Sequence, residues 1–330
     1  MFVGKMEKID LKDRRILYEL DYNSRESLTH IGKKVGLKKD VVSYRIKKLQ
    51  EDGVIQCFYT VIDAYKLGYS LFRYYVNFQY ITPEIRNKII EYLANYRNIC
   101  TVGQALGKYD LIIVVWVKDI SEFYQFWSNT LDKFGDYFEN KIFSVYIHGV
   151  GFRRSYLLLD NYKIEDRVDH EYFGVGKTVE IDETDYHLLN ELALNARAPL
   201  IELAEKFGCS SQTINYRIKR LKKEGLIQAF RVAVNENKLG FKRYKSDIFL
   251  KNHSQRTNII NYIKKNPHLL YISTSTGLCD LEFEFIAKNQ RDLIEIIEDV
   301  NLKFPNSIKN YSIYGDFQCY KETFLPKLFD

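Results

Sequence analysis

The sequence predicts an α+β chain made of two copies of one unit, each a winged helix-turn-helix followed by a ferredoxin-like βαββαβ domain. Three observations predict it. Ile9-Asp10 returns as Ile181-Asp182, and from there the match runs without a gap to Gly68 and Gly240, with roughly a third of positions identical. Each copy opens on helix-period apolar stripes punctuated by glycines. Each then continues as strand, helix, strand, strand, helix, strand. The expected boundaries are 1–62 and 63–153 for the first pair of domains, 179–234 and 235–330 for the second, and 154–178 for a linker with soft points at Gly174 and Gly176.

Composition bounds the function. The 330 residues carry 49 Lys+Arg against 43 Asp+Glu, a net charge of +6 that permits nucleic-acid binding without demanding it. The longest apolar run, Leu111 to Val117, is far too short for a membrane helix, and the N-terminus has no apolar signal segment, so a cytoplasmic protein without a membrane partner is expected. The five cysteines are scattered and form no C-x-x-C, which favours free thiols. The six histidines lack metal-ligand spacing, and the glycines form neither a P-loop nor a dinucleotide fingerprint. No catalytic residue, metal or cofactor is assigned.

Asp10-x-x-Asp13 and Asp182-x-x-Asp185 are helix starts, because an aspartate cap accepts orphan backbone N–H bonds. Ile16, Leu17 and Leu20, with Leu188, Leu189 and Leu192, give the first apolar stripes. A second helix spans Leu28 to Val35 and stops at Gly36; its copy opens with Pro199 and stops at Gly208. The third helix buries Val42, Ile46 and Leu49, or Ile214, Ile218 and Leu221. Charge collects on it. Lys38, Lys39, Arg45, Lys47 and Lys48 stand in the first copy, and Arg217, Lys219, Arg220, Lys222 and Lys223 in the second. Between them lie groups that reach base edges: Ser43 and Tyr44, then Ser210, Ser211, Gln212, Thr213, Asn215 and Tyr216. Cations on one helix face suit a phosphate backbone, and polar groups near its start suit the major groove. The strands Val54 to Val61 and Leu226 to Val234 are expected to form the wings.

In the mixed domains the strands are Phe72–Tyr80, Ile99–Leu106, Leu111–Val117 and Lys141–Gly149, then Arg243–Leu250, Leu269–Thr274, Leu281–Ala287 and Ile308–Gly315. Their helices are Pro83–Tyr96 and Ser121–Phe134, then Gln255–Lys265 and Arg291–Phe304. Leu111 to Val117 is apolar on both faces, which argues a sheet covered on both sides, a second such sheet being the natural cover. The second copy alternates instead, with Glu282 and Glu284 on one face. They are solvated, or meet Arg243 and Lys245, or meet Arg73 across an interface.

Tyr216-Arg217-Ile218-Lys219-Arg220-Leu221-x-x-x-Gly225-Leu226-Ile227, Arg45-Ile46-Lys47-Lys48-Leu49-x-x-x-Gly53-Val54-Ile55 and the turn Gly107-x-Tyr109-Asp110 together resemble the Lrp/AsnC family of transcriptional regulators. The resemblance covers nearly the whole chain, twice. It implies sequence-specific binding of double-stranded DNA and an effector (RAM-type) domain that dimerises through its sheets. It also implies an amino acid bound near Gly103, Gly107, Tyr109 and Asp110, and near Thr276, Gly277 and Asp280. Members often assemble as dimers of dimers, so a homo-oligomer is expected, or an internal pseudo-dimer with two different reading helices and an asymmetric operator. The copies differ: Ser210 stands where the family caps its recognition helix and the first copy has Lys38, while Cys279 replaces Tyr109. Two alternatives are weighed. Siroheme decarboxylases resemble the family but add a histidine and an arginine-rich pocket; here Asn98 to Val102 has no histidine, and His268 follows Pro267 at a strand entrance. The other is an effector- or partner-binding protein with decayed DNA heads.

Overall fold

The computed structural model describes residues 9–161, 169–174, 176–323 and 325–328. The first half runs α1 (Leu11–Tyr22), α2 (Leu28–Val35), α3 (Lys39–Glu51), β1 (Ile55–Ile62), β2 (Ser70–Phe78), α4 (Pro83–Asn95), β3 (Ile99–Leu106), β4 (Leu111–Val117), α5 (Ile120–Phe134), β5 (Phe138–Phe152) and β6 (Asp169–Gly174). The second runs α6 (Glu183–Leu194), α7 (Leu200–Lys206), α8 (Ser211–Lys223), β7 (Ile227–Val234), β8 (Lys242–Leu250), α9 (Arg256–Ile263), β9 (Leu269–Thr276), β10 (Leu281–Ala287), α10 (Gln290–Lys303) and β11 (Ile308–Glu322).

The aspartate pairs start α1 and α6 as capping boxes: Asp10 and Asp182 accept from the backbone N–H of Asp13 and Asp185, which reach back to the cap N–H. Gly36 ends α2 at φ 68°, a left-handed conformation glycine adopts at little cost. The helix-turn-helix units do not stand apart. Ile16, Leu20, Ile46 and Leu49 share one buried cluster with Leu188, Leu192, Ile218 and Leu221. The strands expected as local wings pair with each other across the halves: β1 and β7 form an antiparallel ribbon from Ile55↔Val234 to Ile62↔Ile227. The reason is visible in the helices. Each unit's first helix packs on the other half's strand, α1 on β7 and α6 on β1, so a strand crosses over to complete its neighbour's core.

Each mixed domain has the ferredoxin-like strand order, β5-β2-β4-β3 and β11-β8-β10-β9. The edges do not stay open. β5 and β11 are each 15 residues long, well beyond the expected ends at Gly149 and Gly315. The first part of each pairs at home, β5 with β2 and β11 with β8. The second part crosses to the other half, β5 onto β9 (Val145↔Thr276 to Gly151↔Tyr271) and β11 onto β3 (Gly315↔Leu106 to Glu322↔Thr101). Eight strands thus close into a ring, and β6 pairs on the far end of β5. Closure removes the unpaired edges that invite aggregation. Outside the ring, α4 and α5 cover Phe72, Tyr74, Ile113 and Val115, while α9 and α10 cover Ile248, Phe283 and Phe285.

The stretch expected as a linker at 154–178 is built into the structure where it is described. Arg154, Ser155, Tyr156 and Leu157 are buried, and β6 is a ladder strand. Gly174 is no soft point: a Cβ there would lie 2.8 Å from the Ile147 carbonyl oxygen. Residues 162–168 of this stretch lie outside the described residues.

Candidate nucleic-acid interface

On α3 the side chains of Lys39, Ser43, Tyr44, Lys47 and Lys48 are exposed, with Lys38 just before them; on α8 the exposed set is Gln212, Thr213, Tyr216, Lys219, Lys222 and Lys223, preceded by Ser210. Ser211 and Asn215 are half-buried. Tyr44 and Tyr216 occupy corresponding positions and expose 67% and 68% of their surface, so each recognition helix carries an outward aromatic among lysines. The Ser210 hydroxyl accepts from the Thr213 N–H at 3.1 Å and caps α8, whereas Lys38 gives α3 no side-chain cap. Of these lysines, Lys47 lies 3.8 Å from Glu51.

Three side chains expected to meet DNA are engaged within the protein. Arg45 Nη1 donates to Asp10 and Asp13, both at 2.8 Å, and Arg217 Nη1 donates to Asp182 and Asp185, both at 2.8 Å. Arg220 also bridges to Asp185. The carboxylates that start the first helix thus anchor the third. These guanidiniums are already neutralised and serve as clamps between helices. Burial pushes the Asp10 and Asp182 carboxyls up, but the Asp13 and Asp185 N–H groups together with the paired arginines outweigh it and hold both low, while the aspartates raise Arg45 and Arg217.

The residues expected around an effector have other occupations. Asp110 accepts from the Phe78 N–H at 2.9 Å and Asp280 from the Leu250 N–H at 2.7 Å, so both close a strand end. Gly107 (φ 123°) lies against the backbone of Ile313 and Tyr314, and Gly277 (φ 94°) against Phe143, where a Cβ would sit 2.9 Å from its carbonyl oxygen. Both turns press on the other half, which excludes a side chain. Tyr109 is buried between the sheets beside Tyr75 and Tyr314, and Gly103 and Thr276 lie in the cross-half ladders. What the structure shows at these seven residues is turn closure and packing of one half on the other.

The inner faces of the two sheets meet over charge. Arg73, fully buried, donates to Glu282 at 2.5 Å and to the Ser144 hydroxyl at 3.1 Å, with the Tyr146 ring 3.6 Å away. Lys245 donates to the same Glu282 at 3.1 Å, and Arg243 Nη1 lies 3.2 Å from Glu284. All the partners left open by the sequence are therefore engaged. Burial pushes Glu282 up, but Arg73 and Lys245 pull it further down, to about 2. Asp247 takes the Tyr314 hydroxyl at 3.0 Å and Lys108 at 3.4 Å. Cys279 lies near both carboxylates, within 4.8 Å. The cations on them oppose a metal ion there.

One cavity of about 170 Å³ opens at the end of the ring, between the ribbon and the first half's sheet. Tyr59, Tyr65, Trp116, Tyr271, Cys100 and Glu322 line it, and none of the seven expected effector residues does. Nothing in the sequence pointed to it, because Glu322 reaches it only through the cross-half part of β11. His268 lies elsewhere, its Nδ1 2.9 Å from the Ile286 carbonyl oxygen.

Comparison with known proteins now adds to this geometry. A winged helix-turn-helix DNA-binding family model matches residues 9–56 and 181–228. An HTH-type transcriptional regulator of Pyrococcus furiosus is 32% identical over 127 residues, 38% of this chain and 82% of that protein. The regulator LrpA of Pyrococcus horikoshii is 30% identical over 125 residues, 38% of this chain and 87% of its own. The regulator Ptr1 of Methanocaldococcus jannaschii is 31% identical over 121 residues, 37% and 78% respectively. Among solved structures, the siroheme decarboxylase NirDL shares the fold with a TM-score of 0.63 over 96% of this chain and 94% of its own, at 13% identity.

Proposed function

Because the chain belongs to the helix-turn-helix transcriptional regulators of the Lrp/AsnC type, we propose that it regulates transcription by laying α3 and α8 together on one double-stranded operator. The observation that carries this is the shared core: the two helix-turn-helix units are welded by one apolar cluster and one ribbon, so their reading helices keep a fixed relation. Arg25 donates to the carbonyls of Ala196 and Ala198 at 2.7 and 3.1 Å, and Arg197 reciprocates toward Ser24 and Glu26. The reading surfaces differ, Ser43 and Tyr44 facing out from α3 and Gln212, Thr213 and Tyr216 from α8. An asymmetric operator follows, since half-sites mirror the symmetry of the protein.

Selection of bound genomic fragments at a stated salt concentration, followed by footprinting, tests this. The expected product is a site of two unlike halves. Tyr44→Ala relaxes one half and Tyr216→Ala the other. Perfect palindromes, or variants that bind as the parent does, overturn it.

The fold shared with a siroheme decarboxylase supports a common tandem architecture. The chemistry of this chain favours the regulator: among the described residues no arginine or lysine lines the cavity beside β3, whereas a tetrapyrrole's carboxylates call for cations, and His268 is engaged by a backbone carbonyl. Titration with an iron tetrapyrrole that produced a Soret band with saturable binding would reverse this reading.

A further inference from the structure

The cavity at the junction of ribbon and ring has walls from both modules. Tyr59 belongs to β1 of the DNA-binding ribbon; Trp116, Cys100 and Glu322 belong to β4, β3 and β11 of the ring. Three properties define what fits it. The first is size. An engineered apolar cavity of about 150 Å³ takes a benzene ring, and this one is about 170 Å³ and mostly apolar. The second is an unmet donor. Trp116 is 94% buried, and its indole N–H has no acceptor among the described residues. Such a buried donor carries a desolvation penalty until it finds an oxygen.

The third is charge. Glu322 faces the neighbouring cluster in which Arg243 pairs with Glu236 at 3.1 Å and Glu284 at 3.2 Å, Arg154 lies 3.7 Å from Glu236, and Asp21 is held by Arg154 and Arg231. Glu322 itself lines the cavity, is exposed to solvent, and makes no ion pair among the described residues. Aromatic rings beside a carboxylate are a setting for an ammonium group.

The second half is not its copy. Leu270 and Ile286, the counterparts of Cys100 and Trp116, pack in one cluster with Tyr156 and Leu157, and Tyr156 and Leu157 line, with Leu239 and Phe241, a smaller cavity of about 30 Å³.

We propose that this cavity binds a cationic arylalkyl amine with an oxygen acceptor on its ring, the ammonium on Glu322 and the oxygen on the Trp116 N–H. A ligand there touches ribbon and ring at once and couples amine binding to the placement of the reading helices.

Trp116 reports the test, since Trp127 is the chain's other tryptophan and Trp127→Phe leaves a single emitter. The probe is tyramine, excited at the red edge of the absorption band where phenols are silent. A saturable change in Trp116 emission is expected. Glu322→Gln should weaken it at least about tenfold, as should replacing the ammonium by a hydroxyl in tyrosol. Trp127 stacks on Tyr74 at 3.6 Å, so calorimetry on the parent repeats the titration with the native core. No saturable response to tyramine, equal binding of tyrosol, or an unaffected Glu322→Gln variant overturns the proposal. The titration contains no DNA, so its failure is distinct from failure of the operator selection.

Discussion

Arg45 and Arg217 show how one residue type serves two ends. By charge and position each is expected as a phosphate contact, and in the structure each is held by the two aspartates that begin its own three-helix unit. The sequence displays both parts, the capping aspartates and the arginine 35 residues after the first of them, but their meeting depends on how α3 crosses α1. Arg217→Ala is expected to lower the melting temperature together with DNA affinity. Lys48→Ala and Lys222→Ala, on exposed side chains, should spare the melt and reduce the salt slope of binding by about one unit per lost phosphate contact. Asp63 gives a separate test. Burial lifts its carboxyl to about 6, while the Tyr65 N–H pulls the other way. The unfolded value is about 4. Between these the native state holds a proton the unfolded chain has lost, so stability falls as pH rises from about 4 to 6 and stays lower above. The drop should be of order 1–3 kcal/mol. Asp63→Asn, which keeps the acceptor for Tyr65, should flatten that limb of the melting curve.

At the scale of elements, the helices were legible because caps, glycine stops and apolar stripes are local. α2 begins and ends at the expected residues, as do β3, β4 and β10. The long strands were not. Nothing in the composition of Phe143 to Phe152 marks the residue at which β5 leaves β2 for β9, because both neighbours present the same backbone. The cavity was hidden for the same reason. β1 and β7 were legible as strands but not as each other's partner, since pairing across the halves is a property of the docked pair. The missing cap is a further local signal. Lys38→Ser should give α3 the hydroxyl that α8 has in Ser210 and raise stability by about 1 kcal/mol, measurable in denaturant.

At the scale of the molecule, charges are divided unequally between the halves. The first half brings Arg73 and Lys108 to the inner space; the second brings Glu282 and Asp247. Their counterparts in the other copy are Lys245 and Leu278, and Ile112 and Tyr75. Two first halves paired together would bury Arg73 without a carboxylate. The ribbon repeats the device: Asp21 bonds Arg231 at 2.8 to 3.0 Å, and the corresponding positions hold Ala193 and Tyr59. Removing one partner of a buried pair typically costs about 3–5 kcal/mol. Arg73→Met or Glu282→Leu should each destabilise on that order. Because Lys245 also pairs with Glu282, the loss should be recovered largely only when Lys245→Met is added to the double variant, which leaves none of the three charges without a counter-ion. A double-mutant cycle by thermal melting checks this; strict additivity would refute the coupling.

Carrying both reading helices on one polypeptide also changes the arithmetic of occupancy. A regulator assembled from two separate chains fills its operator with roughly the square of its abundance while the subunits are scarce. Here one folded chain carries both heads, so under the proposal that α3 and α8 read one operator together, occupancy by the pair climbs with the first power. A cell that halves its stock of this protein would therefore halve the supply of competent readers rather than quarter it.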